Sequence, residues 1–299
     1  MASAAASAVR VARPAAMDKL VSVMNEIAPR CLAGSWDNVG ELISPSGART
    51  FATPARIFVT NDLTEKVVDE AVAKEADIIV TYHPTPFRKF NKLHHGSHIS
   101  RVVLACAAHG IGVYSPHTSL DCAPGGLNDW LASAVGAGAV APITPDERVP
   151  GAGEGRVTTL SEPASLTEVV RRVKAHLKLD HVRVAVRMDA AWEAKCSGAE
   201  AAGAAADSVT VRSAAVCAGS GGSVLSTGAG RSADVWLTGE MSHHELLTAV
   251  QAGTSVILTD HTNTERGYLP ELARRIEEGM GGDAVCVVTE LDADPLVVM

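Results

Sequence analysis

Two hydrophobic rhythms alternate along the chain, one with the spacing of a helix face and one of continuous apolar, β-branched runs. Residues 19–27 set Leu20, Val21, Met24 and Ile27 at helical spacing, and residues 55–60 form an apolar run of the kind a buried strand requires. Asp62, with Glu65 three residues later, predicts a capping box ahead of a helix through Ala76, and residues 77–82 read as the next buried strand. The order strand, helix, strand predicts parallel pairing. A helix over 99–109, a short strand over 112–115 and a helix over 127–135 continue the pattern. Residues 136–155 then turn to Gly, Ala and Pro without periodicity, which predicts a linker.

Beyond it the rhythm predicts a strand over 156–160, a helix capped by Ser165 with Glu168 and ending at Leu177, a strand over 182–186 and another over 209–217. The Ala-rich segment 190–207 between the last two reads as a long surface loop. From 233 the buried-strand pattern resumes, with strands at 233–240, 255–259 and 284–289 and helices over 244–251 and after Thr262. The expectation is an α/β protein of two lobes, each a β-sheet flanked by helices. Its parts are a tail over 1–16, a first lobe over 17–136 with 233–299 that carries the site, and a second lobe over 137–232.

Composition narrows the function classes. The 299 residues are 46% hydrophobic, 20% charged and 4% aromatic, which is ample for a packed core. A formal net charge of −8 offers no general attraction to phosphate backbones or anionic lipid, so neither direct nucleic-acid binding nor a membrane partner is expected. No apolar stretch approaches the roughly 20 residues of a membrane-spanning helix. The six cysteines form no CxxC pair, and several sit in apolar runs, as small core residues of a reducing compartment do. A cytoplasmic protein is expected. The opening MASAAASAVRVARPAAM, with two Arg and no acid, keeps a mitochondrial transit peptide as the alternative to an Ala-rich tail.

Four segments end a predicted strand in ionisable residues: 78–84 (IIVTYHP), 112–121 (GVYSPHTSLD), 235–245 (VWLTGEMSHHE) and 256–265 (VILTDHTNTE). In a parallel sheet the carboxyl ends of strands converge on one crevice. Imidazole with carboxylate is the donor set that Zn, Mn or Fe(II) prefers, which makes His83, Asp121, His261 and Glu265 candidate ligands. His261 and Glu265, four apart, could present both side chains across one turn. Taken singly, each has an ordinary reading: a buried structural histidine at 83, an Asx turn at 121, and a surface histidine with a capping glutamate at 261 and 265. Glu240, His243 and His244 are candidates for handling protons at or behind the ligands, with Ser242 able to cap their helix. His117 could orient Asp121, whereas His94, His95 and His98 lie in a polar stretch that reads as a solvated loop. The glycine-rich CAGSGGSVL at 217–225 is either an anion cradle of backbone amides or a tight strand-to-helix turn.

The blocks SWDNVGELI, TNDLT, YHPTPF, YSPHTSLD, GGLNDWLA, CAGSGGS, LTGEMSHHE and DHTNTERG, in this order over nearly the whole chain, resemble those of the NIF-three-like family, also called GTP cyclohydrolase I type 2-like. The resemblance implies a two-lobed subunit assembled into a toroidal homohexamer with paired divalent metals facing its cavity. His83, Asp121, His261 and Glu265 fall on that family's ligand positions. Tyr82 stands where many bacterial members have the first of two consecutive histidines. A phenol is a poor neutral ligand, so one or two ions per subunit are expected. The tyrosine resembles the eukaryotic branch, for which the resemblance also implies protein partners in transcription. The leading expectation is a metal-dependent hydrolase of a nucleotide or another phosphorylated metabolite. The alternative is a ring-forming scaffold in which the metal is structural.

Overall fold

The computed structural model describes residues 13–45, 49–188 and 199–298, which divide into two compact units. The first comprises Met1–Ser119 with Leu269–Asp292, and the second Leu120–Tyr268 with Ala293–Met299. Among the described residues no helix is long and apolar enough to cross a membrane.

The first unit is built on a five-stranded sheet in the order Gly40–Ile43, Gly112–Ser115, Ile78–Thr81, Ala55–Thr60, Ala284–Val288. Only the Gly40–Ile43 edge strand is antiparallel to its neighbour. The central strands are buried throughout, because helices cover both faces of the sheet. Phe58, Ile79 and Val113 meet Val67, Val68, Ala71, Val102, Val103 and Cys106 of the helices Glu65–Ala73 and His98–Ala108. Helices Ala15–Ile27 and Leu269–Met280 pack together closely, since a Cβ at Gly279 would lie 2.5 Å from Val23.

The second unit has a six-stranded sheet in the order Gly138–Ala141, Arg156–Ser165, Thr210–Val216, Val235–Thr238, Ser255–Leu258, Arg183–Ala185. Its three central strands are parallel and the outer ones antiparallel. Alternate residues go to opposite faces: Val235, Leu237 and Ile257 pack with Leu131, Val169 and Val173, while Trp236, Val256 and Leu258 pack with Leu225 and Ala249.

Several expectations are corrected. Val235–Thr238 pairs with Thr210–Val216, and Ser255–Leu258 pairs in turn with Val235–Thr238, so residues 120–136 and 233–268 belong with the second unit and not with a first lobe of 17–136 and 233–299. Apolar periodicity identifies a buried strand without naming its neighbour. The supposed linker at 136–155 supplies the edge strand Gly138–Ala141 and the small ribbon Thr144–Pro145 with Gly153–Glu154, whose exposed faces need no apolar repeat. Of the expected loop 190–207, residues up to 198 lie outside the described residues, and Ala199–Ser208 is helical, as alanine's high helix propensity favours. Residues 1–12 of the expected tail are likewise outside the described residues, and its end is already helix from Ala15. Thr64, not Asp62, caps Glu65–Ala73 by accepting from the Val67 amide. Ser165 and Ser242 cap as expected, the latter in a full capping box with Glu245.

Candidate metal centre

In the second unit, the parallel strands deliver three loops to one edge of the sheet, as their common direction requires. After Ser255–Leu258 the chain passes through Asp260, whose φ is +65°, and enters the 3-10 turn Thr262–Thr264 flanked by His261 and Glu265. The expected helix after Thr262 therefore begins as two 3-10 turns, with the α-helix only from Leu269. The four-residue spacing still brings His261 Nε2 to 3.4 Å from Glu265 Oε1. The Glu265 side chain is 1% exposed, against 36% for His261. On the far side of the ring, His261 Nδ1 is 2.7 Å from Glu240 Oε1, delivered by the loop after Val235–Thr238.

The third loop is the glycine-rich turn. Gly219 has a φ of +62°, and a Cβ there would lie 2.9 Å from both Glu265 Oε1 and His261 Nε2. Glycine is required because the backbone lies directly against the two candidate donors. Three amides of this turn are engaged within the protein: Ala218 N donates to Asn128 Oδ1, Gly219 N to Thr264 Oγ1 and Gly221 N to Thr238 Oγ1. The structure shows a tight turn into the short helix Gly222–Leu225, held by these three amides.

Asp121 lies on the short helix His117–Cys122, and its backbone carbonyl accepts from Asn128 Nδ2 at 3.2 Å. Asn128 is fully buried and ties the Asp121 segment to the glycine turn through its two amide ends. The signal for such a role in the sequence is an asparagine at an apolar-facing position of a helix, which burial obliges to find partners. Burial raises the Cys217 thiol pKa, and the charge of Asp121, with Cys122, Glu154 and Glu265, raises it further. Carboxylate charge from Asp121 and Glu265 thus converges around a thiol held neutral. Arg156, 1% exposed, pairs with Asp129 and donates to the carbonyls of Ala123, Gly153 and Gly155, fixing the chain just beyond Asp121.

The first unit repeats the arrangement at the carboxyl ends of its own parallel strands. His83 follows Ile78–Thr81, and its Nδ1 is 2.9 Å from Asp62 Oδ1. Asp62 is thereby employed on the imidazole and not as a helix cap. His117, with a φ of +32°, places Nδ1 2.7 Å from Asp37 Oδ1. His117 thus meets Asp37 through its side chain. Tyr82 is buried, its ring 4.9 Å from that of His83 and 5.5 Å from that of His117. Burial opposes the charge on Asp37, but hydrogen bonds from His117 and Thr118 outweigh it and hold the carboxyl below the usual carboxylate range.

His243 and His244 start the helix His243–Gln251, exposed and with rings 5.4 Å apart. His94 and His95 are exposed outside any helix or strand, and His98 begins the helix His98–Ala108.

A family model described as Duf34/NIF3 (NGG1p interacting factor 3) matches residues 15–295. The chain belongs to the Duf34/NIF3 family. Among curated NIF3 relatives, the Schizosaccharomyces pombe Protein NIF3 homolog is 38% identical over 94% of this chain and 97% of its own. The Saccharomyces cerevisiae NGG1-interacting factor 3 is 36% identical over 95% and 97%, and the human NIF3-like protein 1 is 32% identical over 94% and 92%. A Staphylococcus aureus protein, SA1388, has the same NIF3 fold at a TM-score of 0.78 and 20% identity, over 95% of this chain and 99% of its own. Reduced HcgD from Methanocaldococcus jannaschii matches at 0.69 and 21%, over 92% and 98%.

Proposed function

We propose that this NIF3-family protein is a divalent-metal-dependent hydrolase of a nucleotide or another phosphorylated metabolite, with His83, Asp121, His261 and Glu265 as its metal ligands. The observation that carries the reading is the carboxylate on Nδ1 of each candidate imidazole, Asp62 for His83 and Glu240 for His261. Metal-binding histidines characteristically donate their second nitrogen in this way, which fixes the tautomer and raises ligand basicity. The donor set suits Zn, Fe or Mn, because imidazole and carboxylate are present and the nearby thiol is kept neutral.

When bound, such an ion supplies Lewis acidity and lowers the pKa of a coordinated water from about 15.7 toward 7. The chain's own residues do the rest. Glu240 holds the His261 ring rather than acting on substrate, so proton handling falls to the exposed His243 and His244. Buried Glu265 and the amides locked in the glycine turn keep the donors in place before any ligand arrives.

The test is metal content per subunit by mass spectrometry for the wild type and Glu265→Gln, followed by hydrolysis assays with nucleotides and phosphate monoesters. Stoichiometric metal in the wild type, reduced in the variant and accompanied by turnover, is expected. A wild type purified and reconstituted without stoichiometric metal would remove the mechanism. A second reading, a scaffold with a structural metal, draws on Tyr82, a buried ring beside His83 where a further nitrogen ligand would strengthen a second ion. It predicts metal without turnover. Both readings carry the proposed homohexamer and protein partners, and light scattering of a six-subunit mass would support the ring.

A further inference from the structure

The first unit carries a feature that metal binding does not use. Aromatic residues are only 4% of this chain, yet Trp36 is 66% exposed, Phe87 44% and Phe90 43%. Trp36 and Phe87 lie edge to face with both rings exposed, a contiguous uncovered aromatic pair of the kind that marks a binding surface. The Trp36 indole is held in position. A Cβ at Gly34 would come within 2.9 Å of its Nε1, so the glycine lets the ring lie against the backbone. Phe87 and His117 abut it, each with its centroid 6.1 Å away and inclined by 74° and 81°. The turn beneath is pinned, with Gly34 N donating to Thr118 Oγ1 and the Asp37 carboxylate accepting from Thr118 N. The result is a fixed and largely uncovered aromatic face, already ordered before a ligand arrives.

Charge decides what such a face would take. Arg88, Lys89 and Lys92 follow Phe87 on the same exposed loop, and their side chains have no carboxylate partner among the described residues. Elsewhere cations such as Arg101, Arg148, Arg171 and Arg274 are paired with acids. A cage for a quaternary ammonium is disfavoured on two counts. The rings of Trp36, Phe87 and His117 fill one another's edges at 6.1 Å, and three uncompensated cations would repel a cationic ligand. A planar, anionic molecule satisfies both features.

We propose that Trp36 and the loop 84–93 bind a nucleotide, its base stacked on the indole and its phosphates held by Arg88, Lys89 and Lys92. This names the substrate class of the proposed hydrolase and depends on that reading for its catalytic meaning, while the binding itself needs no metal. Calorimetric titration with GTP and ATP, of chelator-treated and of metal-loaded protein, tests it. Both nucleotides should bind the chelated protein. Trp36→Leu should weaken binding about tenfold, in line with the loss of one base-stacking contact. The triple variant Arg88→Gln, Lys89→Gln, Lys92→Gln should weaken it further and flatten its salt dependence. Both alter exposed side chains, and their folding is checked by thermal melting. Nucleotide binding without turnover by the metal-loaded protein would sink the hydrolase and leave this site standing. Unchanged affinity in Trp36→Leu, or a preference for single-stranded oligonucleotide over mononucleotide, would overturn it.

Discussion

Replacing Gly219 with alanine probes the candidate centre through a single methyl group. Two costs are legible in the structure. At a φ of +62° a Cβ crowds its own backbone, a strain of about 1–2 kcal/mol for an L-residue. That Cβ would also lie 2.9 Å from both Glu265 Oε1 and His261 Nε2, closer than real Cβ contacts come, so the candidate donors must move. Neither can yield easily: Glu265 is buried, and His261 is tethered by Glu240. A total loss of about 2–3 kcal/mol in unfolding free energy is expected, with metal affinity falling at least tenfold. Urea denaturation and chelator competition measure the two effects. Gly203→Ala is the control, since Gly203 lies in the helix Ala199–Ser208 with nothing within 4 Å of its would-be Cβ. It should stabilise by about 0.5–1 kcal/mol through alanine's helix propensity. Wild-type stability and metal affinity in Gly219→Ala would refute the view that the glycine turn shapes the centre.

Glu240→Ala should lower metal affinity about 10–100-fold with little change in melting temperature, because Glu240 is exposed and acts by orienting His261. Isothermal titration with zinc checks this, and an unchanged affinity would remove Glu240 from the centre. Arg156→Met should cost about 3–5 kcal/mol in denaturant unfolding, since it strips Asp129 and several carbonyls of their buried donor. Hydrogen bonds from Arg171 and then Arg172 hold the Glu168 carboxyl down at about 2. A depressed carboxylate stabilises the fold above its unfolded pKa near 4.3 and loses that contribution as pH falls through the folded value. The stability gap between wild type and Glu168→Gln should therefore be full at pH 6 and shrink toward pH 2; a gap independent of pH would contradict the ion pairing.

Much of the local structure was legible in the residues. Strands such as Ala55–Thr60 and Ser255–Leu258 announce themselves because a sheet covered on both faces favours a mainly apolar run. The helix Leu166–Leu177 is likewise marked by Ser165 at its cap and by its apolar spacing. His261 and Glu265 could be paired because separation along a helical turn is a local quantity, and it survives even when that turn is 3-10 rather than α.

Partnership between distant segments was decided only by the tertiary structure. Nothing in Val235–Thr238 states that it pairs with Thr210–Val216, since strand pairing depends on which neighbour completes burial, a property of the whole chain. The same holds for Asp62 on His83, Glu240 on His261 and Asn128 between Asp121 and Ala218. A carboxylate or amide in sequence advertises several local uses, as a cap, a turn or a solvated side chain. Its actual partner is the group that burial leaves within about 3 Å, and only folding brings that group there.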